Sequence, residues 1–228
     1  MLGKLLGENY LRRRLLKKTD SPVMKMFYEN PFPARNSLIS ELDIVSLDFE
    51  TTGLNREKDR IISIGRVQIS QLGIELGSSS HELIKTNTQL SENSVVIHQI
   101  TDDQSATGSD VENVLPQLLD NLSGKVLLAH NAKVEVGFIN ALCQRLYGTN
   151  FVIPVIDTQI LAKRSFERQH LAYRNNELRL FNLRKLFNMP VYKAHNALMD
   201  AVATAELFLA LFYKISPRSN GRLSEFLS

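Results

Sequence analysis

Three acids and one histidine in this sequence are spaced so that they could do chemistry together. Asp48 and Glu50 stand two apart in the run Asp48-Phe49-Glu50-Thr51-Thr52-Gly53-Leu54. The stretch 43–49 reads as a strand, and side chains two apart on a strand point to one face. Two carboxylates so close at a strand end repel each other unless a cation lies between them. Carboxylate oxygens of this kind suit Mg²⁺ or Mn²⁺. With ten Asp and fourteen Glu in 228 residues, a D-x-E pair alone decides nothing. The Thr-Thr-Gly turn directly after it is more informative, because its hydroxyl and backbone N–H groups would meet a sugar or phosphate held by the metals.

Asp200 and His195 lie in His195-Asn196-Ala197-Leu198-Met199-Asp200-Ala201. Leu198, Val202, Leu207 and Leu209 make this a long helix over about 197–214, where an acid faces either solvent or a ligand. Five residues along one helix would set His195 and Asp200 about 140° apart. His195 is therefore placed on the loop before the helix, with Asn196 as its cap. A loop lets an imidazole swing, and a free imidazole titrates near ~6.5, suited to taking a proton from water.

The elements that must hold these residues alternate in type. Strands are expected at 43–49, 61–70, 73–84, 126–129 and 152–156, with short connections that pair the first three antiparallel. Helices are expected at 110–122, at 133–146 with Gly148 ending it, after Asp157, and at the long C-terminal stretch. Strands interleaved with helices give a layered α/β fold. Before residue 40 the pattern differs. Residues 4–18 read as a short helix of leucines among basic residues, Ser21-Pro22 starts a second one, and Asn30-Pro31-Phe32-Pro33 breaks regular structure. Residues 1–40 are thus expected to form a basic helical N-terminal extension, and 41–228 the main domain.

Composition narrows the class. Hydrophobic residues make up 43% and charged residues 22%, which fits a globular chain and excludes a mainly disordered or collagen-like one. No apolar run reaches the ~20 residues that span a bilayer. The lone cysteine, Cys143, excludes an internal disulfide and a cysteine-based zinc cluster, and reads as a buried apolar residue. Arg12 to Arg14 interrupt the leucines that a signal peptide would need, so a cytoplasmic location is expected. The charge is uneven. Residues 1–40 carry eight basic side chains against three acidic ones, and a second basic cluster runs from Lys163 to Lys185. Such clusters attract polyanions, or form solvated helix faces.

With these residues in view, the sequence resembles the 3′–5′ exonucleases of the DEDDh type, within the ribonuclease H-like superfamily, and is similar to the exonuclease (epsilon) subunit of bacterial DNA polymerase III. The resemblance is carried by residues 48–54 (DFETTGL), 97–101 (IHQIT), 130–132 (HNA), Asp157-Thr158 and 195–201 (HNALMDA), in the family's order. It implies a mixed sheet of about five strands flanked by helices. It implies two divalent ions, Mg²⁺ or Mn²⁺, held by Asp48, Glu50, Asp200 and a fourth acid, with His195 as general base. Thr51, Thr52, Gly53 and Leu54 would hold the terminal nucleotide, His98 would line its pocket, and Asn131 would lie at the substrate.

One position departs from the family. Its fourth acid is an Asp within H-N-A-x-F-D; here the segment reads His130-Asn131-Ala132-Lys133-Val134-Glu135. Glu135 keeps the charge and reaches one methylene further, which implies retained but weakened activity with a leaning towards the more forgiving Mn²⁺. The expected reaction is removal of nucleoside monophosphates from the 3′ end of single-stranded DNA. Two rivals share the same residues: a stand-alone exoribonuclease, and a degenerate nuclease fold that binds nucleic acid or a polymerase without cutting. The N-terminal extension would dock a polymerase or other protein, contact nucleic acid, or pack on the domain; no membrane partner is expected.

Overall fold

The computed structural model describes residues 7–86 and 106–228. The 97–101 stretch and His98 lie outside the described residues. Five strands form one sheet in the order β3-β2-β1-β4-β5. β1 (Ile44–Thr51), β2 (Ile61–Ser70) and β3 (Gly73–Leu83) pair antiparallel, while β4 (Val126–Ala129) and β5 (Val155–Asp157) add parallel to β1. The mixed five-stranded sheet flanked by helices is the architecture expected from the sequence. β5 begins later than its apolar run suggests, at Val155. Pro154 has no N–H to donate, although its carbonyl accepts from Leu127 N at 2.9 Å.

β1 explains how one strand serves two faces. Val45, Leu47 and Phe49 enter the core on one side, beneath α1 (Glu8–Lys18), α2 (Pro22–Glu29), α3 (Val111–Leu122) and α4 (Lys133–Tyr147). The alternate residues Ile44, Ser46, Asp48 and Glu50 face the side covered by α5 (Thr158–Arg168), α6 (Leu180–Leu186), α7 (Ala197–Ile215) and α8 (Leu223–Phe226). Along that face the strand turns from apolar to hydroxyl to acid as it approaches its end.

The described part of the N-terminal segment is stitched to the domain. Met24, Phe27, Tyr28 and Phe32 are buried in the same core as β1. The Tyr28 hydroxyl donates to Asn150 O at 2.7 Å and accepts from Val152 N at 3.0 Å. Ser21 caps α2 with Pro22 in its first turn, as the sequence predicts. Buried Arg12 donates to the carbonyls of Tyr28 and Glu29 at the end of that helix. Arg13, Arg14, Lys17 and Lys18 remain exposed. Among the described residues no helix is long and apolar enough to cross a membrane.

Candidate active site

The acids meet where β1 ends. Asp48 pairs with Gly65 of β2 and Glu50 with Ser63, so both carboxylates rise on the face under α7. The helix comes down unusually close there. A Cβ on Gly65 would lie 2.1 Å from the Ala197 carbonyl carbon and from Leu198 N. Only a residue without a side chain lets the first turn of α7 rest on the β2 backbone, and that contact brings Asp200 over Asp48. One turn further on, Ser46 Oγ donates to Ala201 O at 2.7 Å and fixes helix to strand.

His195 lies just outside the helix, as its spacing implies. Asn196 is the N-cap, its Oδ1 accepting from Met199 N at 3.1 Å. His195 adopts a left-handed backbone conformation with φ 66°, and its N–H donates to Asp200 Oδ2 at 3.1 Å. Its side chain is exposed. One donor atom each from Glu50, His195 and Asp200 lie within 4.8 Å of one another.

Glu135 reaches the same place from the first turn of α4. Two helices are set by one side chain here. Asp157 is buried, and its Oδ1 accepts from the N–H groups of Asn131 (3.1 Å), Gln159 (2.9 Å) and Ile160 (3.3 Å) while Oδ2 accepts from Ala132 (3.0 Å). It therefore caps α5 and anchors the chain entering α4. On the far side of α4, Arg56 lies against Gly137 and donates to Lys133 O at 2.8 Å.

Crowding shows in the electrostatics. Asp48 is driven well above the usual carboxylate range, first by burial and then by the charges of Glu135, Asp200 and Glu50. Glu135 is pushed up to about 8. Burial dominates, Asp157 and Glu50 add to it, and the backbone N–H groups of Glu135 itself and Phe49 oppose it. Glu135 Oε2 is buried with no hydrogen-bond partner among the described residues. An orphaned carboxylate oxygen beside three more acids is what a divalent cation would satisfy, and carboxylate oxygens with an imidazole close by fit Mg²⁺ or Mn²⁺.

Each sequence-predicted residue within the described segments can be placed. Asp48, Glu50, Glu135, Asp200 and His195 converge. Thr51–Leu54 form the adjacent turn, but their hydroxyl donors are engaged within it. Thr51 Oγ1 donates to Gly53 O at 2.8 Å, and Thr52 Oγ1 donates to Asp59 Oδ1 at 3.2 Å. A Cβ on Gly53 would strike the Asp59 carboxylate at 2.5 Å, so this glycine lets the turn close. Leu54 is 76% exposed and leaves an apolar surface at the turn. Asn131 is exposed, in a left-handed conformation with φ 62°. In its neighbour His130, burial pulls the imidazole down to about 4, and Nδ1 lies 2.8 Å from Thr158 Oγ1. That ring is neutral at physiological pH.

The Lys163–Lys185 cluster requires correction. Arg184 is buried and paired with Glu206 at 2.6 Å, and Arg164 donates to Leu227 O at 2.6 Å, so two of its cations are structural. Sequence reasoning missed Asp157 as the tie between the cap of α5 and the chain entering α4, Gly65 as a close-approach site, and His81, whose Nε2 lies 2.7 Å from Ser63 Oγ beside Glu50. Asp157 before a helix carries an N-cap signal. Gly65 and His81 carry none without the strand register.

A family model described as an exonuclease, RNase_T, matches residues 45–208. DNA polymerase III PolC-type of Thermotoga maritima is 32% identical over 190 residues, covering 83% of this chain and 13% of that protein, so the chain corresponds to a small part of that polymerase's length. DNA polymerase III subunit epsilon of Treponema pallidum is 33% identical over 169 residues, 73% of this chain and 74% of that one. Among solved structures, the nuclease domain of 3′hExo, a DEDDh family member bound to rAMP, superposes with a TM-score of 0.67 at 19% identity, covering 84% of this chain and 98% of that chain. Exonuclease X in complex with 5′ overhanging duplex DNA gives 0.60 at 21% identity, covering 80% and 98%. These two likenesses speak for the fold.

Proposed function

Because the chain belongs to the RNase_T exonuclease family, we propose that it is a 3′–5′ exonuclease acting on single-stranded DNA. Asp48, Glu50, Glu135 and Asp200 would hold two divalent ions, Mg²⁺ or Mn²⁺. When bound, the ions supply Lewis-acid activation of the attacking water and relief of charge on the departing 3′ oxygen. His195 accepts the water's proton as its oxygen bonds to the terminal phosphorus. The bond to the 3′ oxygen breaks, that oxygen takes up a proton, and a nucleoside 5′-monophosphate leaves. The turn at Thr51–Leu54, with Asn131 and His98, would hold the last nucleotide. Since the Thr51 and Thr52 hydroxyl donors are engaged within the turn, backbone groups and the exposed Leu54 would make most of that contact.

The observation that carries this reading is the convergence of Asp48, Glu50, Glu135 and Asp200, from three separate elements, beside one exposed histidine. Exonuclease chemistry needs this arrangement; a binding module has no use for four mutually repelling carboxylates. The two relatives named as DNA polymerase III favour DNA over RNA and a polymerase as partner. A cytoplasmic location fits such a partner.

The test is a 5′-labelled single strand, as DNA and as RNA, incubated with the protein in Mg²⁺, in Mn²⁺ and in chelator. A metal-dependent ladder shortening from the 3′ end, faster on DNA and absent from Asp48→Ala, is the expected result. A faster ladder on RNA would make it an exoribonuclease. Binding without cleavage in either metal would overturn the enzymatic reading.

A further inference from the structure

The segment between α6 and α7 carries His195, and it has no regular structure from Met189 to Asn196. It is also poorly packed at its start. A cavity of about 490 Å³ lies among Phe181, Lys185 and Met189–Val191, and Val191 is 93% exposed. What holds the segment is a polar hub. Arg184, on α6 and almost wholly buried, donates through Nη2 to Pro190 O at 3.1 Å. Its Nη1 donates to Ala203 O at 2.9 Å and to Glu206 Oε2 at 2.6 Å, both on α7. The guanidinium carbon sits 4.5 Å from the centre of the Tyr192 ring. The Tyr192 hydroxyl donates to the other Glu206 oxygen, Oε1, at 2.9 Å.

One planar guanidinium thus ties two helices to the irregular segment, and Glu206 closes the circuit through Tyr192. A lysine could not replace it, because a single ammonium lacks the fixed fork. Burying such a charge is poor value for stability, the more so because Arg184 Nε has no partner among the described residues. Its yield is geometry. His195 comes three residues after Tyr192, within about 10 Å of chain. Its own N–H is tied to Asp200. The imidazole thus projects from a residue held at its backbone N–H and, three residues earlier, through Tyr192.

We propose that the Arg184–Tyr192–Glu206 hub is a positioning device: it holds the His195 loop so that the imidazole stands beside Glu50 and Asp200, without itself touching substrate. This rests on the reading of His195 as the general base.

The experiment is a double-mutant cycle in the full chain, on 5′-labelled single-stranded DNA. Tyr192→Leu removes the ring contact and the hydroxyl while Arg184 and Glu206 still pair; Tyr192→Phe removes the hydroxyl alone. The expected result for Tyr192→Leu is kcat lower by about tenfold, KM within about twofold, and faster trypsin cleavage after Lys193. Tyr192→Phe should fall between it and the parent. In a His195→Ala background, Tyr192→Leu should cost nothing more, because the device has no base left to place. Should Arg184 itself be tested, Arg184→Met with Glu206→Gln avoids stranding a buried charge.

An unchanged kcat for folded Tyr192→Leu, with His195→Ala strongly impaired, would overturn this inference alone. An equal loss in both backgrounds would do the same, assigning the hub to general stability. Full activity of His195→Ala would instead remove the base assignment, and the inference with it.

Discussion

Asp48 and Glu50 stand on a strand hydrogen-bonded to β2 through residue 51, and Asp200 stands on a helix resting directly on that strand's neighbour. His195 stands on eight residues of irregular chain, exposed, in a left-handed conformation, tied at Asp200 and through the Tyr192 hub. The two regions meet within 4.8 Å and are built by opposite means. Regular elements set the acids, which must hold their places against mutual repulsion. A tethered loop sets the histidine, which must gain and lose a proton and admit a strand end. Substitutions should therefore behave differently on the two sides.

The largest losses are expected from Asp48→Asn and His195→Ala. Asp48→Asn should lower the rate by at least about 10³-fold, since a metal-binding charge is gone. It should leave the metal-free melting temperature unchanged or raised, because it removes a repelled carboxylate. His195→Ala should lower kcat by about 10²- to 10⁴-fold with no change in melting, since its side chain is exposed. Paired exonuclease assays and melts in chelator check both. A metal-free protein destabilised by Asp48→Asn would mean that the carboxylate is held by favourable contacts.

Gly65→Ala attacks the contact that joins the two regions. A methyl 2.1 Å from the helix backbone cannot be accommodated in place, so α7 must lift and carry Asp200, Asn196 and the tether of His195 with it. The expected cost is about 1–3 kcal/mol of stability, as for other overpacked sites, together with at least a tenfold loss of rate. Urea unfolding and kcat measured together would show it. A variant that melts normally and cuts normally would mean that the helix does not depend on this approach.

The acids also predict how the metal-free protein responds to pH. Asp48 and Glu135 both have folded-state values raised above their ordinary ones, Glu135 to about 8. A carboxyl raised in this way binds more protons in the folded state than in the unfolded one. Its stabilising effect is complete below the unfolded value near 4.5 and disappears as pH rises through about 8. In chelator, melting temperature should therefore fall between pH 5.5 and pH 8.5, by at least about 3 °C. Adding Mg²⁺ or Mn²⁺ at the upper pH should restore it. A flat profile in chelator would show that the four acids do not crowd one another.

Sequence reading reached these two regions unequally. The shared face of Asp48 and Glu50 follows from the two-residue period of a strand, and the Asn196 cap and Gly148 stop are local signals that the structure keeps. Cys143 is buried as its type suggests, and burial pushes its thiol up to about 12. The residues that locate the site against the rest of the molecule were not legible. Arg184 reads as one more surface cation until α7 and the segment after Pro190 close over it. Gly65 reads as a weak spot in a strand until a helix lands on it. Asp157 advertises the cap of α5 and also binds the chain that enters α4. Arg184 bonds a carbonyl 19 residues away and Asp157 an N–H 25 residues away, while Gly65 depends on register and on a helix that begins at Ala197; periodicity records none of these.

The smallest expected effect tests the site's most unusual acid. Glu135 enters from α4, whose start is fixed by Asp157 and whose outer side is braced by Arg56 against Gly137. The helix is thus set, and the extra methylene of Glu135 moves its carboxylate about 1.5 Å further than an Asp would reach. If that oxygen is a metal ligand, Glu135→Asp keeps the charge and draws it back towards α4. Activity should then match or exceed the parent's, within about threefold, and the preference for Mn²⁺ over Mg²⁺ should shrink, since Mg²⁺ tolerates imperfect octahedra least. Rates in each ion, for parent and variant side by side, read this directly. A large loss on Glu135→Asp would mean that the longer reach is required where it stands, and that Glu135 is no substitute for a shorter acid. The acids would then be tuned in position as finely as the tethered histidine, and the contrast between the two regions would narrow to their backbones.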